Sequence, residues 1–88
     1  MNITEKSFEE AARKIQYSIN LEIVIKRLED NNIIDLPLTE NKEEASFHIE
    51  LLEKYKEHNQ EKNHDREGRE FYKRIDDYLA KLKNITGQ

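Results

Sequence analysis

Tyr17-Ser18-Ile19-Asn20-Leu21-Glu22-Ile23-Val24-Ile25 is the stretch on which the fold turns. Its odd-numbered positions are all apolar or aromatic, which is the alternation of a half-buried strand, and β-branched side chains add to that tendency. Paired with the apolar segment Ile33-Ile34-Asp35-Leu36-Pro37-Leu38, it could form a β-hairpin over residues 17–38, giving an α+β fold. The helical alternative explains more. Val24 interrupts the alternation, Lys26-Arg27-Leu28-Glu29 reads as a charged last turn, and Asn31-Asn32 supplies residues that tolerate a left-handed C-terminal cap.

The residues before the stretch extend the helical reading. Phe8, Ala11, Ala12, Ile15, Ile19 and Ile23 recur at steps of three and four and share one face. Tyr17, Leu21, Val24, Ile25 and Leu28 fall on the opposite side of the same helix. Ser7 and Glu10 have capping-box spacing, with Thr4 as a competing cap one turn earlier. The expected element is one long or broken helix over residues 5–31.

Beyond it, Pro37 disfavours helical backbone at Leu36, so residues 33–38 are expected to form an apolar connector folded back on the core. Thr39 or Asn41 then caps a second helix. Asn41 with Glu44 has capping-box spacing, and Glu43 and Glu44 suit the positive end of the helix dipole. Ala45, Phe47, Ile49, Leu51, Leu52 and Tyr55 form its apolar stripe. Lys56 to Glu70 contains no aliphatic or aromatic side chain, so helix 2 either continues into solvent there or gives way to a mobile turn. The clearest helix follows, with Phe71, Ile75, Tyr78, Leu82 and Ile85 stepping by four and three, Tyr72 and Leu79 beside them, and Gly87 at its end.

The chain has 88 residues, only two glycines and one proline, which favours helices over a multi-stranded sheet. The expectation is a single all-α domain over residues 1–88, a small three- to four-helix bundle, with the α+β hairpin over 17–38 as its rival. Hydrophobic residues make up 35% of the chain and charged residues 39%, enough for one modest core and little more. A domain so poor in apolar material often gains stability from a partner or a second copy.

Composition excludes several function classes. Without cysteine there is neither a disulfide nor a thiolate metal site. Ile23-Val24-Ile25 is the longest apolar run, far short of the roughly 20 residues of a membrane span. Met1 to Lys6 lacks a charged-then-apolar secretory pattern, so the expected location is the cytoplasm. A net charge of −4 argues against a general nucleic-acid coat. The abundance of Asn, Ile, Lys and Glu suits an AT-rich genome such as that of a phage or mobile element.

Catalytic signals are weak. The serines are Ser7, Ser18 and Ser46, and Ser46 with His48 stands at i and i+2, positions that do not face each other on a helix. The pairs Asp76-Asp77 and Glu43-Glu44 point about 100° apart. His58, Glu61 and Asp65 would align only if helix 2 continued through them, and they lack apolar shielding, so no metal is assigned. Arg66, Arg69 and Lys73 share a helix stripe and are the candidate phosphate contacts, with Glu70 and Asp77 among them. No cofactor is implied.

The reading that remains is a non-enzymatic regulator, adaptor or inhibitor acting through protein–protein contacts, with another protein or a second copy as partner. Its rival is a dimeric DNA-associated regulator. The partner surface follows from the two apolar faces of helix 1, since a surface helix needs only one. With Phe8, Ala12, Ile15 and Ile19 expected inward, Tyr17, Leu21, Val24 and Leu28 either lie under the connector of residues 33–38 or form the partner or dimer interface.

Overall fold

The computed structural model describes residues 5–34 and 36–87. They form α1 (Glu5–Glu29), α2 (Lys42–His58) and α3 (Arg66–Thr86), with a 3₁₀ turn over Gln60–Asn63 between the last two. Among the described residues there is no strand, and the stretch from Tyr17 to Ile25 lies within α1. The hairpin alternative is not supported.

Local chemistry sets the helix ends. At the end of α1, Asn31 adopts a positive φ of 57°. Asn32 N–H donates to the Arg27 carbonyl at 2.8 Å and Asn31 N–H to the Leu28 carbonyl at 3.3 Å. This is the paired closure of a Schellman motif, with Asn in place of the usual glycine. Asn41 caps α2, its side chain accepting from the backbone N–H of Glu43 at 2.8 Å and of Glu44 at 3.2 Å. Thr39 supports the cap by accepting from Asn41 N–H at 3.0 Å. Asp65 caps α3 by accepting from Gly68 N–H at 2.7 Å, and Gly87 closes it at φ 80°. Ser7 stands inside α1 rather than at its start. Thr4, the alternative cap, lies outside the described residues, as does Asp35 of the connector.

The polar segment resolves into the end of α2, the 3₁₀ turn and the start of α3. The Tyr72 hydroxyl holds this corner by donating to the carbonyls of Lys56 and Asn59. It lets α2 and α3 run back as a hairpin around Ala45, Ile49 and Leu52 on one side and Phe71, Ile75, Tyr78, Leu79 and Leu82 on the other. Phe71 meets Tyr55 and Tyr72 edge to face, at ring-centroid distances of 6.2 and 6.1 Å.

Helix α1 lies against this hairpin through Leu21, Val24 and Leu28, which join the common core, and through buried Tyr17. The two faces of α1 are therefore exchanged relative to the sequence expectation. Tyr17, Leu21, Val24 and Leu28 point inward, covered by α2 and α3. Phe8, Ile15, Ile19 and Ile23 point outward, 70, 62, 46 and 48% exposed, and Ala11 and Ala12 are exposed with them. The connector covers less than its composition suggests. Leu36 packs on the core, whereas Ile33, Ile34 and Leu38 remain largely exposed. No helix among the described residues is long and apolar enough to cross a membrane.

Candidate protein-interaction surface

The polar contacts that seat α1 explain which face is free. His48, buried in the α2 stripe, donates from Nε2 to the Tyr17 carbonyl at 2.9 Å. That carbonyl can only accept, so Nε2 carries a proton. Asn20 donates to Glu44 Oε2 at 2.8 Å, and Arg74 on α3 donates to the Leu28 carbonyl at 2.7 Å. Tyr17 also packs on Phe47, with rings 6.0 Å apart. The inner stripe is thus tied at both ends, at Tyr17 by α2 and at Leu28 by α3.

Among the described residues, none in the first three turns of α1 is buried. Residues 5–16 are exposed on every side, and this end of α1 is tied to α2 by an ion pair of Arg13 with Glu43 at 3.5 Å, itself half exposed. The outer stripe begins there with Phe8, Ala12 and Ile15 and runs unbroken through Ile19 to Ile23. Beside Ile23 a cleft of about 270 Å³ opens between α1 and the connector, lined by Ile23, Pro37, Leu38, Glu44, His48 and Tyr78. Inside it the Tyr78 hydroxyl donates to the Pro37 carbonyl at 2.9 Å. Burial, and then the nearby charge of Glu44, push the Tyr78 pKa up to about 12.

The interface expected from sequence, Tyr17, Leu21, Val24 and Leu28, is brought together as one stripe, but inside the chain's own core. The exposed apolar surface lies on the opposite face of the same helix. Arg66, Arg69 and Lys73 come together near the start of α3, in acidic and hydrogen-bonded company. Arg66 pairs with Glu70 at 3.3 Å, and Arg69 donates to the His64 carbonyl at 2.9 Å. The groove holding Arg69 and Lys73 also contains Glu53, Glu57, Glu61 and Asp76, and Lys56 is paired with Asp76. That mixture gives no sustained positive field for a phosphate backbone.

Because α2 ends at His58, no continuous helix aligns His58, Glu61 and Asp65, and no metal-binding cluster occurs among the described residues. Ser46 is exposed while His48 is buried, so the pair does not meet. The polar group Asn20, Glu44 and His48 escaped sequence reasoning. Its legible trace was His48 standing among Ala45, Ile49 and Leu52 on the inward stripe of α2. Comparison of the chain with protein-family models, with curated proteins and with solved structures returned no match.

Proposed function

We propose that this protein is a non-enzymatic binding module, a small regulator, adaptor or inhibitor that works through protein–protein contacts made by the outer face of α1. The observation that carries this reading is the exposed stripe Phe8, Ala12, Ile15, Ile19 and Ile23. Four large apolar side chains aligned on one helix face form a patch of the kind that marks association surfaces on soluble domains. Phe8 contributes the aromatic anchor that such surfaces favour. Catalysis has less to support it, since the one buried histidine has its Nε2 proton committed to a backbone carbonyl. A DNA-associated regulator is the weaker alternative, because Arg66 and Arg69 already have partners and acidic residues surround Lys73.

The test compares tagged wild-type protein with an Ile15→Glu variant in affinity capture from the native cells, read by mass spectrometry. Loss of the captured partner in the variant, with circular dichroism unchanged, supports the reading. Identical capture by both proteins would sink it. DNA binding that weakens steeply with added salt would move the assignment to the rival class.

A further inference from the structure

We infer that the outer face of α1 pairs with the same face of a second copy, antiparallel, about a two-fold axis level with Tyr17. This rests on the proposed reading of that face as a protein-binding surface and names its occupant. The first argument is shape. Residues 5–16 are all exposed, so roughly 18 Å of α1 at the α-helical rise contributes nothing to the core and meets α2 through the half-exposed Arg13–Glu43 ion pair. A solitary helical stretch of about 12 residues is marginal in water. Antiparallel pairing lays this stretch along the outer face of the other copy's packed half, and the arrangement is reciprocal, as a closed two-fold contact requires. The two hairpins of α2 and α3 then lie on opposite sides of the paired helices and do not collide.

The second argument is register. With the axis level with Tyr17, Ile15 meets the partner's Ile19, and Ala12 lies level with the partner's Glu22 and Ile23. Phe8 falls level with the partner's Lys26, whose stem and ammonium can cover the ring. The cleft beside Ile23 and Leu38 borders the same track and extends the apolar contact.

Charge selects the antiparallel order. Glu5 and Glu9 flank the stripe at its start, and Lys26 and Arg27 stand at its end. At this register antiparallel pairing brings Glu9 of each copy beside the partner's Lys26, whereas parallel pairing would set Glu9 against Glu9 and Lys26 against Lys26.

The third argument is area. At the observed exposures, Phe8, Ile15, Ile19 and Ile23 offer roughly 400 Å² of apolar surface per chain, taking about 170–200 Å² for each fully exposed side chain. Two copies give roughly 800 Å², and at the apolar fraction of a homodimer interface the contact totals about 1,200 Å². That stands at the lower edge of specific interfaces, so the dimer is weak and concentration-dependent.

Sedimentation equilibrium over about 5 to 500 μM should show a monomer–dimer equilibrium with its midpoint in the micromolar range. Ile19→Glu should remain monomeric throughout with unchanged circular dichroism. Phe8→Glu, on the exposed stretch and clear of the core, gives the same readout should Ile19→Glu fail to fold. The chain has no cysteine, so orientation can be read from single-cysteine variants. Under mild oxidation a mixture of Ala12→Cys and Glu22→Cys proteins should yield the mixed disulfide dimer in excess of either homodimer. A wild type monomeric across the range, or a dimer surviving both glutamate variants, overturns the proposal, and predominant 12–12 linkage overturns its orientation. A monomeric wild type whose captured partner is lost in Ile15→Glu would leave the broader binding function standing, which keeps the two failures distinguishable.

Discussion

The inner and outer stripes of α1 are close to equivalent as sequence and opposite as structure. Each is apolar, each repeats at helical spacing, and they lie about half a turn apart. Leu28 on the inner stripe is 1% exposed, whereas Ile15 on the outer stripe is 62% exposed. Amphipathic periodicity establishes that a helix has an apolar face, but not which of two faces the rest of the chain will cover. What separates them is what stands opposite. The inner stripe spans Tyr17 to Leu28, a length that the hairpin of α2 and α3 can cover, and His48 and Arg74 hold its two ends. The outer stripe begins at Phe8, where the chain's own bundle offers no cover.

The largest expected effect breaks this comparison most directly. Leu21→Glu and Val24→Lys each put a charge where side chains are 4 and 2% exposed. An uncompensated charge there costs several kcal/mol, much of the stability of so small a domain, and both variants should be unfolded or molten in circular dichroism and urea titration. A folded Leu21→Glu protein that had merely lost an oligomer would return the interface to the inner stripe. Leu28→Ala is the gentler form of the same test. It should cost about 2–5 kcal/mol through lost burial and an unrelaxed cavity, read as a lower urea midpoint with little change in slope.

Much of the fold was legible because its signals are local. The periodicity from Phe71 to Ile85, the cap at Asn41, the left-handed Asn31 and the terminal Gly87 each involve neighbouring residues and short-range hydrogen bonds. The exchange of the α1 faces was not legible. It depends on pairings such as His48 with Tyr17 and Arg74 with Leu28, separated by 31 and 46 positions, which leave no periodic trace. The connector misleads for a related reason. Ile33, Ile34, Leu36 and Leu38 look like a covering flap, but α2 and α3 already cover the inner stripe, and only Leu36 finds a place on the core. In the polar segment, charge alternation allowed either a continued helix or a turn. The hydroxyl of Tyr72, a residue beyond that segment, ties down the corner.

A smaller effect probes the inner side through Tyr78. Its pKa is about 12 in the folded protein against 10.0 as the ordinary value, because burial and then the charge of Glu44 disfavour the phenolate. With the folded pKa raised, the neutral form contributes stability that is fully present below about pH 10. That contribution is lost as the pH rises from about 10 towards 12. The expected loss is about 1–2 kcal/mol, discounted for solvent reaching the cleft mouth. Urea titrations at intervals from pH 8 to 12 should show the decline, and Tyr78→Phe should remove that component. Tyr78→Phe should itself cost roughly 1 kcal/mol at neutral pH for the lost hydrogen bond to Pro37. An unchanged alkaline profile in the phenylalanine variant would mean that Tyr78 is not held as described.

The smallest expected effect separates the two stripes most sharply. Ile15→Ala removes nearly as much apolar side chain as Leu28→Ala, yet Ile15 makes little use of it in the single chain. Alanine is also the better helix former, by about 0.4 kcal/mol over a β-branched residue whose rotamers the helix restricts. At protein concentrations of a few micromolar or below, where the chain should be monomeric, the change should therefore lie within about 0.5 kcal/mol of zero and could favour the variant. At concentrations roughly a hundredfold higher, mass action adds dimer stability to the wild type alone, so the variant should fall behind in melting temperature. Parallel thermal melts at the two concentrations measure this. A loss of 2 kcal/mol or more at low concentration would place Ile15 in the core, since that is the cost of truncating a buried aliphatic side chain. Equal behaviour at both concentrations would mean that the outer stripe meets no second copy and that its apolar surface serves a different protein.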